Sequence, residues 1–270
     1  MFIANSSVRR PTPWRVVYGL YAWLQFTLLG LITVLLLLCP QPLARRRGLV
    51  HRLAGLALRL GGMRVRAQGL ASLPMRCVVV ANHQSYLDGV VLAALLPARF
   101  GFVIKREMSS VPLAGLLLRR IGAEFVERHA RQRLLRDTRR LLRQAANGQA
   151  LVFFPEGTFS HRIGLLRFHI GAFAAAARGN LPVIPIAIRG TRGCLPPGSP
   201  WPRPGIIHVE VLPALPLQLA PPEASDHGAR AGQLRAQARA ALLSALKEPD
   251  LADACGDAFA ERARAVSPTA

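Results

Sequence analysis

A histidine and an aspartate stand five positions apart in "ANHQSYLDGVV", residues 81–91, directly after the apolar run "CVVV". An imidazole changes its charge near neutral pH. A carboxylate bonded to one ring nitrogen orients the ring and leaves the other nitrogen free as a general base. Asp88 is also the first acid of the chain: eleven arginines precede it, and no Asp or Glu does. His83 and Asp88 therefore read as a base with its orienting acid. The same spacing also fits an ordinary helix-start aspartate.

Two further strand ends carry candidate groups. In "FFPEGTFS", residues 153–160, Gly157 permits a tight turn that Pro155 and Thr158 stiffen. Glu156 is then presented from a strand end, on the edge expected for His83. With 14 acids against 35 basic residues, each acid has a stronger claim to a purpose, although a turn can also contain an acid by chance. In "IGAEFVERHAR", residues 121–131, a short strand delivers Arg128 to the same edge. A guanidinium fork suits a phosphate monoester; in so arginine-rich a chain it also fits plain surface charge. Other chemistries lack support. There is no GxSxG nucleophile elbow and no P-loop or GxGxxG fingerprint, and Ser85 reads as a helix-start residue. Cys39, Cys77, Cys194 and Cys255 are far apart without zinc-ligand spacing, so no metal is expected.

The elements that must carry these groups alternate between two periodicities. Short apolar runs predict strands at 64–67, 77–81, 101–104, 124–126, 150–154, 183–188 and 206–212. Helical spacing predicts helices near 87–96, 112–120, 131–146, 165–178 and 226–247. Such alternation predicts an α/β fold, a largely parallel mixed sheet flanked by helices. Strand C-terminal ends are where open α/β sheets place their sites. "CLPPGSPWPRPG", residues 194–205, is expected to be an exposed loop.

The N-terminus differs. Residues 16–39 hold 24 positions without a formal charge. At ~1.5 Å per residue they are long enough to cross a ~30 Å hydrocarbon core. Tyr18, Tyr21 and Trp23 fit an interfacial aromatic belt. After Pro40 and Pro42, Leu49, Leu53, Leu56 and Leu60 share one face, while Arg45, Arg46, Arg47 and Arg52 supply charge, as in an amphipathic helix lying among headgroups. The first helix either spans the bilayer or forms with the second a hairpin dipping into one leaflet. The expected organisation is a membrane-binding two-helix segment over 1–60, a domain over 61–248 and a weakly ordered tail over 249–270. A net charge of +21 calls for an anionic partner. The 51% hydrophobic content selects a lipid surface over nucleic acid, since no stretch interleaves aromatic and basic residues as a stacking platform does. A non-catalytic basic membrane adaptor fits the same charge.

The order of the blocks adds a resemblance. "NHQSYLD", "GAEFVER", "FPEGTFS" and "VIPIAIRG" resemble, in sequence, the four blocks of the glycerophospholipid acyltransferase family over about residues 63–215. The two N-terminal helices resemble its membrane-binding motif. The resemblance implies that His83 is the base and Asp88 its orienting acid. It implies that Lys105 and Arg128 meet the acceptor phosphate, and that Glu156, Gly157 and Thr158 contribute to substrate binding, with Pro185 in the last block. The implied reaction moves a fatty acyl group from acyl-CoA or acyl-carrier protein to the free hydroxyl of a lysophospholipid, most directly 1-acylglycerol-3-phosphate. It needs no cofactor and takes place on the cytoplasmic side of a bacterial inner membrane. Phe159 stands where phosphatidate-forming members usually carry Arg, which opens the alternative of a lysophosphodiester or lyso-aminolipid acceptor. Arg162 and Arg167 are the nearby candidates to replace that guanidinium.

Overall fold

Why the chain folds as it does is clearest from its strand interiors. The computed structural model describes residues 12–127, 140–141, 143–144, 149–215 and 227–252. Its N-terminal half runs α1 (Pro13–Leu38), α2 (Leu43–Leu60), β1 (Met63–Gln68), β2 (Val78–Ala81), α3 (Leu87–Leu95), β3 (Gly101–Lys105), α4 (Ala114–Arg120) and β4 (Glu124–Val126). Then follow β5 (Leu151–Phe153), β6 (Leu165–Leu166), α5 (Gly171–Gly179), β7 (Val183–Arg189), α6 (Thr191–Cys194), β8 (Gly205–Val211), α7 (His227–Leu246) and β9 (Asp250–Leu251). The expected helix over 131–146 lies largely outside the described residues.

Strands β2 and β5 are apolar at every position and buried throughout, as strands covered on both faces must be. They sit inside a seven-stranded sheet of order β1-β8-β7-β2-β5-β3-β4. β1, with Arg64 and Arg66 alternating against buried positions, takes an edge. All pairings in this sheet are parallel except β7 with β8. Pro185 is tolerated inside β7 because its carbonyl side faces Leu212, past the end of the β7–β8 ladder, where no strand bond needs its missing N–H. One face of the sheet packs on α5 and α7 through Phe173, Leu234 and Leu242. The other packs on α2 and α3 through Leu58, Val91 and Leu92.

Helix α1 is apolar on the wrong side for a water-soluble protein. Leu20, Leu24, Leu28 and Leu35 are exposed, whereas Gly19, Ala22, Gln25 and Thr33 are buried against the domain. Gln25 donates to the Ala57 carbonyl at 3.2 Å, and Tyr18 donates to Gly61 O. The proline-rich stretch is not the exposed loop expected of its composition. Trp201 lies on Gly19, where a Cβ would come within 2.5 Å of the ring, and Trp23 Nε1 donates to Pro200 O at 2.5 Å. Its apolar side chains found a partner in α1, which composition alone does not reveal.

Two other expectations change. Helix α5 begins at Gly171, not near 165, because backbone groups ahead of it are engaged elsewhere: Leu165 N donates to Pro249 O and His169 N to Pro155 O. Leu165–Leu166 pair with Asp250–Leu251. The chain assigned to a tail after 248 thus continues into the packed unit through residue 252, and residues 253–270 lie outside the described ones.

Arg47 is also unlike its neighbours. Arg45 and Arg52 are exposed, but Arg47 is buried and donates from Nε to Ile121 O at 2.9 Å. Its terminal nitrogens reach the carbonyls of Ala98, Arg99 and Gly122 at 3.3–3.4 Å. It ties α2 to two loops instead of facing headgroups. Arg47→Met strands these carbonyls; at ~1.5–3 kcal/mol per hydrogen bond to a charged group, the loss is about 3 kcal/mol or more. The thermal unfolding midpoint of the purified protein is expected to fall by roughly 6–12 °C. An unchanged midpoint would show that the clamp contributes nothing.

Candidate active site

Register places the candidate groups together. Val80 pairs with Phe153 across β2 and β5. His83 and Glu156 each follow three residues later, so two loops leave adjacent strands in step. β3 runs parallel beside β5 and ends at Lys105, on the same edge.

Asn82 makes the first fixed point after β2. Its side chain is buried, donating to Ile188 O at 2.8 Å and accepting from Ile188 N at 2.7 Å. This amide imitates one more step of strand pairing and pins the residue before His83. The His83 ring then stacks on Phe154 at 4.3 Å between centroids, and Phe159 meets it edge-on at 4.7 Å. Tyr86 in turn packs edge-on against Phe159 at 4.7 Å.

His83 Nδ1 lies 2.8 Å from Asp88 Oδ2. That oxygen also accepts the main-chain N–H groups of Gln84 at 2.6 Å and Ser85 at 2.8 Å. Asp88 is fully buried in the first turn of α3. An acceptor-only carboxylate requires Nδ1 to carry and donate the proton, so in the neutral ring Nε2 is left unprotonated as the acceptor. Of the two readings of the His/Asp spacing, this geometry matches the orienting acid. Asp88 lies in the first turn of a helix as well, so the geometry accommodates both descriptions.

Glu156 is aimed at two backbone N–H groups and not at the cavity. Oε1 accepts His83 N at 2.6 Å and Oε2 accepts Leu166 N at 2.8 Å. The carboxyl is buried and does not line the cavity. It therefore grips the backbone of the histidine from behind. Gly157, at φ 71°, completes the turn by donating to Phe154 O at 3.0 Å. Burial pushes the Glu156 carboxyl up to about 8, against the pull of its two backbone hydrogen bonds. Because the folded state holds this proton more tightly than the unfolded chain, stability falls as pH rises from 4.5 to about 8. Glu156→Gln removes the linkage. Across that window the wild-type unfolding midpoint is expected to decline more steeply than the variant's, and parallel curves would rule the linkage out.

The His83 ring lines a largely apolar cavity of about 720 Å³ walled by α1, α2, α3 and α4, including Phe26, Thr33, Leu53 and Ile121. Lys105 and Thr158 lie on its wall, both exposed, and Lys105 Nζ is 3.7 Å from Glu107 Oε1. Arg162 and Arg167 are exposed and do not line the cavity. Arg128 lies outside the described residues. The N–H groups of residues 83–85 are all engaged by carboxylates, so this turn offers no oxyanion donor. Tyr86, Lys105 and Thr158 are side-chain donors that face the cavity. Among the described residues, no cluster of His, Cys, Asp and Glu could hold a metal. Sequence reasoning missed Asn82 and Phe154; a polar residue directly after a fully apolar strand was the available signal for the first.

Comparison with known proteins bears on the same region. Residues 64–189 match the family described as Acyltransferase. Lysophospholipid acyltransferase LPCAT4 of Homo sapiens is 36% identical over 169 residues, covering 61% of this chain and 31% of that protein. A 1-acyl-sn-glycerol-3-phosphate acyltransferase of Chlamydomonas reinhardtii is 32% identical over 209 residues, covering 73% of this chain and 62% of that one. The chain thus spans about a third of the length of LPCAT4. The crystal structure of the 1-acyl-sn-glycerophosphate acyltransferase PlsC from Thermotoga maritima superposes with a TM-score of 0.64 at 20% identity, covering 83% of this chain and 94% of that chain. At that identity the likeness is one of fold.

Proposed function

We propose that the chain, whose residues 64–189 match the Acyltransferase family, transfers a fatty acyl group from a thioester to the free glycerol hydroxyl of a lysophospholipid at a membrane surface. The observation that carries the reading is His83, oriented by buried Asp88, on the wall of an apolar cavity. The hydroxyl attacks the thioester carbonyl of acyl-CoA or acyl-carrier protein while His83 Nε2 takes its proton. Asp88 stabilises the imidazolium that forms. The tetrahedral intermediate then expels the thiol, which regains a proton from His83, leaving the acylated lipid and free thiol. Donors along the cavity wall, Tyr86, Lys105 and Thr158, supply the charge stabilisation that the 83–85 turn does not. No cofactor is needed beyond the thioester.

Membrane association is supported by α1, whose exposed face is largely apolar and whose Gln25 and Thr33 turn inward. Packing on the domain from Tyr18 to Leu37 spans ~28 Å at ~1.5 Å per residue. A helix flanked by protein over that length favours the hairpin that dips into one leaflet over the span, and the side we propose is the cytoplasmic face of a bacterial inner membrane. The adaptor reading gains nothing from this geometry, because an adaptor needs no oriented histidine.

The acceptor is 1-acylglycerol-3-phosphate, with Lys105 and Arg128 holding its phosphate. A second reading rests on Phe159, which packs on His83 and Tyr86 where a guanidinium would otherwise favour a phosphate monoester. A panel of lysolipids under one donor separates them. Lysophosphatidic acid is expected to turn over fastest, and Arg128→Ala to raise its apparent KM by roughly 10-fold or more, since a charged hydrogen bond contributes ~1.5–3 kcal/mol. No turnover of it beside rapid turnover of a lysophosphodiester or lyso-aminolipid would overturn this choice. Phe159→Arg is in that case expected to restore it.

A further inference from the structure

Two carboxylates define the His83 geometry: Asp88 on the ring and Glu156 on the backbone. Both are held by nearby groups, and a hydrogen-bond partner of each, Gln84 for Asp88 and Leu166 for Glu156, is in turn braced from the far end of the chain. Arg239 on α7 donates to the carbonyls of Leu165, at 2.8 Å, and Leu166, and pairs with Asp250. Its guanidinium also lies over the Phe168 ring, 5.2 Å from the centroid. Those contacts fix the β6–β9 pair. The Leu166 N–H, from the residue whose carbonyl Arg239 grips, donates to Glu156 Oε2, and Glu156 Oε1 takes His83 N. Only one residue and one side chain separate the Arg239 guanidinium from the catalytic backbone.

A second strut arrives from the end of α7. Lys247, at φ 55°, ends α7 and reverses the chain in the left-handed conformation common just past a helix C-terminus. Glu248 is thereby turned toward the site and accepts Gln84 Nε2 at 2.7 Å. Gln84 is buried, and its own N–H donates to Asp88 Oδ2 at 2.6 Å. Loop 83–85 is thus gripped from Glu156, Asp88 and Glu248 at once.

We infer that Arg239 and Glu248, both beyond the matched segment 64–189, are positioning residues that hold the His83 loop in its working geometry. The inference rests on His83 acting as the base. Burial disfavours a charge on Glu156, and its two backbone hydrogen bonds and, to a smaller degree, the Arg239 guanidinium act in the opposite direction. A displacement of a catalytic group by about 1 Å costs up to about 10²-fold in rate.

The test uses the full chain in lipid nanodiscs, with lysophosphatidic acid and an acyl-CoA as substrates. Arg239→Met and Glu248→Ala are each expected to lower kcat by about 10- to 100-fold with KM little changed, and Arg239→Lys to recover part of the loss. Hydrogen exchange, read by mass spectrometry, is expected to speed up in residues 82–88 while β2 and β7 keep their protection. Near-wild-type kcat in both variants, with exchange at 82–88 unchanged, overturns the inference. Should Arg239→Met fail to fold, Glu248→Ala carries the same two readouts. A wild-type protein that acylates no lysolipid sinks the proposed function instead, and the exchange measurement still decides whether the C-terminal struts hold the loop.

Discussion

His83→Ala is expected to leave a folded, membrane-bound protein whose acyl transfer falls by about 10²–10⁴-fold, the usual loss on removing a general base. Folding survives because the fold uses the backbone of this residue, not its ring. The N–H to Glu156 remains after truncation, and the ring stands at a cavity wall instead of within a core cluster. Asp88→Asn is expected to be as severe. Its Oδ2 receives three N–H donors, two from the backbone and one from the ring. An amide satisfies the backbone pair with its oxygen but offers no negative charge to the imidazolium. It also permits the tautomer in which Nε2 carries the proton, and such a ring cannot take one from the hydroxyl. The measurement is kcat with saturating acceptor, beside circular dichroism and membrane flotation of each variant. Near-normal turnover by purified His83→Ala would remove the residue from the mechanism.

How much of this was legible beforehand follows from what a sequence encodes. Strands β2 and β5 announced themselves because a parallel strand covered on both faces has no polar position to confuse it. The His83–Asp88 pair was legible because both ends lie within one loop and one helix turn. Glu156 was legible as important yet not in its role: residue type says that a carboxyl is present, and only the fold says that it points back at His83 N. Arg47 shows the same limit, since three consecutive arginines look alike until the helix rotates one of them inward. Residues 194–205 misled for a different reason. Proline and glycine signal a loop correctly, but whether a loop stays exposed depends on a distant partner, here Gly19 and Trp23 of α1. The struts at Arg239 and Glu248 lie about 160 residues from the histidine loop, and no local pattern links such distant positions.

Loss of the N-terminal helices is expected to be as damaging as loss of the base, for two separable reasons. Removing residues 1–60 takes away the α1 and α2 walls of the cavity and the Arg47 clamp, so lysolipid turnover is expected to fall to background even where the sheet survives. A finer experiment separates anchoring from wall. Leu20, Leu24, Leu28 and Leu35 face outward, whereas Phe26, Leu29 and Thr33 face the cavity. Replacing the four outward leucines with Gln leaves the wall in place. At about 25 cal/mol per Å² of apolar surface, four leucines contribute several kcal/mol to the bilayer contact, so partition is expected to weaken by roughly 10³-fold. That variant is expected to leave the membrane pellet, to lose turnover of lysolipid embedded in vesicles, and to keep turnover of acceptor supplied in detergent micelles. Full-length wild-type protein recovered quantitatively in a detergent-free soluble fraction would defeat the anchoring argument, because the exposed face of α1 would then have to be reconciled with water. Retained vesicle activity in the four-leucine variant would defeat it as well, since the lysolipid would be reaching His83 by a route that does not pass along this helix.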